Sequence, residues 1–234
     1  MIIAVVQHRL RATPSEDAAA LASEAARAAS RGAELIVLPQ THSAGHEAIS
    51  RSELAGVLGE SEACYVQPCA PGSEAGGGYR LLVAGSRGVP EGVGRMALLV
   101  GDECLDPAHL SAVLAEEPDA IVLAPRSENE LQAEAFMELA IALSDSVAGL
   151  VVIAECVGAG PGKPGHGGSA IVVLGEVVAE ALEDDELLFA DVAIPVPQPA
   201  PREPLPEIPL LLKQRLAFHE GHKLAVPGYP ADLT

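Results

Sequence analysis

The chain has 234 residues and a formal net charge of −19, with Asp+Glu 33 against Lys+Arg 14. A surface so acidic repels phosphate, which argues against nucleic acid and anionic membranes as partners. Hydrophobic residues make up 49% and recur along the whole length, enough to bury a substantial core, so one globular domain is expected over 1–194, with a proline-rich tail over 195–234.

In chain order, Ile2–Gln7 is a continuous β-branched run that reads as a strand covered on both faces. It is too short for a signal h-region, and no segment approaches the roughly 20 apolar residues of a membrane helix, so a cytoplasmic protein is expected. Thr13-Pro14-Ser15-Glu16 is a capping box with proline at the first helical position, opening an alanine-rich helix that ends at Gly32. Glu34–Leu38 closes a strand–helix–strand unit whose strands must lie parallel.

Pro68, Pro71 and Gly76-Gly77-Gly78 interrupt residues 59–94, where Tyr79–Ala84 alone reads as a strand. Regular alternation then resumes: strand 96–101, helix 107–117, strand 120–123, helix 129–147 and strand 150–154. Gly158-Ala159-Gly160-Pro161-Gly162 lacks the lysine–serine pair of a phosphate loop and reads as a turn. Gly175 divides Gly168–Leu174 from Glu176–Leu182 as a hairpin, and Leu187–Ile194 is a candidate edge strand. Pro195–Pro209 reads as extended, with a short amphipathic helix around Leu210–His219.

Of the cysteines Cys64, Cys69, Cys104 and Cys156, none forms a CxxC pair and no histidine sits at zinc-finger spacing, so neither a disulfide framework, a metal site nor a cofactor is implied. Cys104 follows Met96–Val100 at a strand-to-helix corner, with Asp106 as the N-cap and Pro107 as the first helical residue. Such a corner exposes a thiol to the N–H groups that favour a thiolate. Two readings stay open for it, a reactive thiol and a small buried hydrophobe.

Several segments together resemble the carbon–nitrogen hydrolase, or nitrilase, superfamily. Ile3-Ala4-Val5-Val6-Gln7 is similar to its first strand, and Gly32–Pro39 to the segment leading into its catalytic glutamate. Gly101–Asp106 resembles the elbow of its nucleophilic cysteine, and His166-Gly167-Gly168-Ser169-Ala170-Ile171-Val172 with Gly175-Glu176-Val177 its late glycine–serine strand and hairpin. The resemblance implies an α/β fold, a four-layer αββα sandwich shortened in the middle, assembled as a homo-oligomer, a dimer through helical faces. It also implies a small amide-like ligand.

In that family a Glu, a Lys and a Cys hydrolyse amides or nitriles: the carboxylate takes the thiol proton, the sulfur attacks carbon, and the lysine stabilises the tetrahedral intermediate. The cysteine maps to Cys104. The glutamate maps to Gln40, whose carboxamide has no basicity. The lysine has no counterpart, because Lys163, Lys213 and Lys223 all follow the elbow. A base contributes about 10²–10⁴-fold and an oxyanion donor about 10²–10³-fold, so hydrolysis is expected to be impaired and the fold kept for binding or assembly.

The alternative is an active thiol amidohydrolase with a rebuilt site. Glu155 ends the strand 150–154, where the family tends to place asparagine, and is either a substitute base or a solvated loop acid. Glu103 adjoins Cys104, but extended neighbours face opposite sides, which places it outside the pocket. His42, His46 and His166 are further candidate bases, Arg80 and Arg87 candidate cations, and His166 with Ser169 a candidate binding pair.

Overall fold

The computed structural model describes residues 1–40, 62–69, 80–84, 88–90, 92–159, 164–181 and 184–194. The expected tail and its helix, together with His42, His46 and the side chains of Arg80 and Arg87, lie outside what it describes.

Strand β1 (Ile2–Arg9) runs through the middle of the first sheet. Its odd residues Ile3 and Val5 face one apolar layer, and its even residues Ala4 and Val6 face another, which is why the run is apolar throughout. Helix α1 (Pro14–Ser30) begins at the expected capping box: Glu16 N–H donates to Thr13 Oγ1 at 3.3 Å, and Thr13 N–H to Glu16 Oε2 at 3.0 Å. It lays Leu21, Ala25 and Ala28 over that sheet, and the small alanines let its axis approach closely. Strand β2 (Leu35–Val37) then pairs parallel with β1.

The stretch 59–94 holds one strand more than its sequence suggests. Strand β3 (Cys64–Cys69) pairs parallel with β2 and antiparallel with β4 (Arg80–Ala84). Pro68 sits inside β3 because the β2 ladder ends at Val66, so its missing N–H faces no strand on that side.

The second sheet carries the elbow. Strand β5 (Met96–Val100) leads into a 3₁₀ turn, Gly101–Leu105, before helix α2 (Pro107–Ala115), whose N-cap Asp106 accepts from Ala108 N–H at 2.9 Å. Strand β6 (Ala120–Ala124), helix α3 (Glu130–Val147) and strand β7 (Leu150–Ile153) complete a parallel trio, β5–β6–β7. Ala120, Val122, Leu150 and Val152 face the first sheet, while Ile121, Leu123, Val151 and Ile153 pack under the helices. The layers are therefore α1, sheet, sheet, and α2 with α3, the expected αββα sandwich.

From β7 the chain changes sheets. Strand β8 (Cys156–Ala159) pairs parallel with the end of β1 and antiparallel with β9 (Pro164–His166). The glycine-rich run read as a turn thus contributes part of a strand. Strand β10 (Ala170–Val173) returns to the second sheet and turns through Leu174 and Gly175, both at positive φ, into β11 (Glu176–Glu180), the hairpin the sequence predicts. Strand β12 (Glu186–Asp191) lies antiparallel along β1. Sheet orders among the described residues are β4-β3-β2-β1-β8-β9, with β12 also on β1, and β11-β10-β7-β6-β5.

Candidate functional site

Cys104, Ser127 and Glu155 all follow the carboxyl ends of adjacent parallel strands, β5, β6 and β7. Cys104 sits in the 3₁₀ turn and is 0% exposed, among Leu99, Leu110 and Leu123. Burial pushes its thiol well above the ordinary thiol value, and the charges of Glu155 and Glu103 push it further, against weaker pulls from the N–H groups of Ala124 and of Cys104 itself. The small buried hydrophobe is the state observed. Glu103 lies on the turn rather than on an extended strand, its Oε2 accepting from Val100 N–H at 3.4 Å, so alternation does not remove it from the thiol's surroundings.

Glu155 is 2% exposed, which corrects the reading of a solvated loop acid. The reason is topological. Ile153 ends β7 in one sheet and Cys156 begins β8 in the other, so Ala154-Glu155 is the crossing between sheets and its side chains have nowhere to go but the interior. Glu155 Oε1 accepts from Ser127 Oγ at 2.5 Å and from Ser127 N–H at 2.7 Å. Burial raises its carboxyl to about 7, despite those bonds, a backbone N–H bond from Cys156 and the attraction of Arg126.

The return crossing runs beside it. Ser169 Oγ accepts from Glu155 N–H at 2.9 Å, Ser169 N–H donates to Gln7 Oε1 at 2.8 Å, and Gln7 Nε2 donates to the Asp184 carbonyl at 2.9 Å. Ser169 is thus engaged inside the protein, tying the two crossings to β1. His166 N–H donates to the Ser127 carbonyl at 2.8 Å. Its residue lines a different space, a cavity of about 880 Å³ bordered by Glu130, Glu134, Glu138, Glu180 and Asp184. Cys104, Gln40 and Glu155 do not line that cavity.

Gln40 follows β2 and is buried; its carbonyl accepts from the Cys156 thiol at 3.4 Å. Cys156 is the register partner of His8 across the parallel β1–β8 pair, so their side chains share a sheet face. His8 Nε2 lies 2.7 Å from Asp17 Oδ1, which also accepts from Arg11 N–H at 2.7 Å. Sequence reasoning missed Ser127 and this buried His8–Asp17 pair. The signal for the pair was available: a histidine and an aspartate placed on the inward faces of β1 and α1. Among the described residues, no group of three or more His, Cys, Asp or Glu side chains could hold a metal, and no helix is long and apolar enough to cross a membrane.

This arrangement of the two sheets and their helices is the fold of solved structures from the nitrilase superfamily. The structure is similar to that of the amidase from Nesterenkonia sp. AN1, described as of that superfamily: a cysteine-to-alanine variant superposes with TM-score 0.66 at 20% identity, covering 94% of this chain and 96% of the other. A glutamate-to-glutamine variant of the same amidase, showing the result of Michael addition of acrylamide at the active-site cysteine, gives TM-score 0.66 at 22% identity over 82% of this chain and 93% of that one. No family model and no curated protein matches the sequence. At this identity the likeness establishes the fold.

Proposed function

We propose that the chain is a divergent nitrilase-superfamily protein in which amide hydrolysis is impaired and the fold is kept to bind a small amide-like ligand or to assemble. The observation that carries this reading is Cys104, at the nucleophile's position, sealed from solvent and held as a neutral thiol. Gln40 stands where the family's glutamate would take its proton, and no lysine precedes the elbow. The fold and the acrylamide adduct on the neighbour's glutamine variant support a small amide as the class of ligand. The same reading takes the protein as cytoplasmic and homo-oligomeric, a dimer favoured.

Catalysis would need a thiolate or a base that removes its proton, and a donor for the tetrahedral oxyanion. With Gln40 and without the lysine, both needs go unmet at their family positions, so activity should be near silent. The test is ammonia release from short aliphatic amides, N-carbamoyl compounds and nitriles, with Cys104→Ala as the blank. No release above the blank is expected, and turnover that depends on Cys104 would overturn the reading.

A further inference from the structure

Two hydrogen-bond routes lead from the buried Glu155 to the walls of the acidic cavity. On one, Glu155 Oε1 accepts from the Ser127 hydroxyl at 2.5 Å and from Ser127 N–H at 2.7 Å, and the Ser127 carbonyl accepts from His166 N–H at 2.8 Å. On the other, Glu155 N–H donates to Ser169 Oγ at 2.9 Å, Ser169 N–H to Gln7 Oε1 at 2.8 Å, and Gln7 Nε2 to the Asp184 carbonyl at 2.9 Å. The Ser169 carbonyl accepts from Ala181 N–H at 2.8 Å. His166, Ala181 and Asp184 line the cavity, and a further wall is α3, whose N-cap Asn129 lies two residues after Ser127. Glu155 is thus tied to each side of that space while lying outside it.

The tied segments are also built to turn. Arg126 has a φ of 66°, a conformation that a residue with a side chain keeps only where its surroundings hold it. Gly167 and Gly168, between β9 and β10, have φ of 94° and 95°, which glycine adopts without a steric penalty. What holds both segments is a carboxyl group only 2% exposed. Burial raises it to about 7, outweighing the two Ser127 bonds, the Cys156 N–H and the attraction of Arg126.

We propose that Glu155 is a proton-operated latch. Protonated, it holds the 125–129 loop and the 166–169 segment against the crossing between sheets; ionised, it draws water in, and these two segments part and shift the cavity walls they carry. The latch does not depend on any chemistry at Cys104.

The titratable groups on the surrounding elements are Cys104 and Glu103 on the 3₁₀ turn, Arg126 and Glu128 after β6, and His8 on β1 with Asp17 on α1. Cys156 on β8, His166 on β9, Asp184 and Asp185 before β12, and the cavity carboxylates of α3 and β11 complete them. Arg126 favours the Glu155 carboxylate by less than burial opposes it. Cys104 and Cys156 are buried thiols that the Glu155 charge makes harder to ionise, so neither relieves it. Linkage then gives the direction. Closure is fullest below the carboxyl's ordinary value of 4.5, is lost as pH rises through about 7, and is level above that.

The experiment reads amide hydrogen exchange by NMR between pH 5 and 8, corrected for the intrinsic rate, at Ser127, His166 and Ser169. In wild type their opening should increase about 70-fold over that range. It should not change with urea below the unfolding transition, because a local opening exposes little surface. In Glu155→Gln the pH dependence should vanish. Ser127→Ala removes a bond that favours the carboxylate, so at His166 and Ser169 the pH where opening levels off should move upward; this variant keeps the test open where Glu155→Gln does not fold. For the cavity, the carbon-13-labelled methyl of Met137 on α3 should follow the same pH curve in wild type and lose it in Glu155→Gln.

Opening that is equal at pH 5 and 8, or that keeps its pH dependence in Glu155→Gln, overturns the inference. So does opening that rises only together with the slowest core amides and with their full urea dependence, which would make Glu155 a buried acid weighing on the whole fold. A Met137 methyl that ignores pH, or that moves equally in Glu155→Gln, overturns the link to the cavity.

Discussion

Cys104 loses its water on folding and gains the Glu155 carboxylate as a neighbour, and both changes favour the neutral thiol. The same burial acts on Glu155 with a measurable consequence for stability. In the unfolded chain the carboxyl ionises at its ordinary value of 4.5; in the fold it ionises at about 7. Between those values the folded state holds the extra proton, so stability is fullest below the unfolded value. It falls by about 3 kcal/mol as pH rises through the folded one, and is level above it. Glu155→Gln keeps an oxygen for Ser127 and removes the titration. In urea unfolding the variant should match wild type near pH 4.5 and exceed it by up to about 3 kcal/mol at pH 8; an unchanged pH slope would contradict this assignment. That Cys104 falls on the turn after β5 and that Gln40 follows β2 was legible in the sequence, because the apolar runs before them mark the strands. The burial of Glu155 was not, since an acid after a strand looks the same whether the chain turns into solvent or into a second sheet.

At the scale of elements, local chemistry announced what local chemistry controls. Thr13 and Glu16 fix the start of α1, Asp106 and Pro107 that of α2, and Leu174-Gly175 the β10–β11 turn. Strands β3, β8 and β9 escaped because their pairing partners lie far away in sequence, and proline or glycine inside them reads as interruption. Gly165 shows why glycine is required there. It lies against the Cys156 backbone across the β8–β9 pair, where an added Cβ would collide with the Cys156 carbonyl oxygen and sit 2.8 Å from its carbon. Gly165→Ala should therefore pry the hairpin apart, lowering stability in a thermal or urea melt by about 1–3 kcal/mol. A variant as stable as wild type would show that the hairpin shifts without cost.

Over the whole molecule, one apolar layer joins the sheets, with Ile3, Val5, Val66, Val122, Val152 and Ile171 meeting across it. Two further layers seat α1 on one side and α2 with α3 on the other. The alternating sequence of strands and helices is enough to predict parallel units. It is not enough to predict that they stack as two sheets, which came from the resemblance carried by ordered motifs and stands in the structure. The two-sheet scaffold thus places a buried, neutral thiol, Cys104, on the turn after β5.

The most direct test of that claim is the S–H infrared band of Cys104, taken as the difference between wild type and Cys104→Ser across pH 6–10. The band should persist to pH 9, with no thiolate absorbance assignable to Cys104. A band already lost near pH 7, with thiolate absorbance in its place, would mean that Cys104 is an activated nucleophile and would contradict the account.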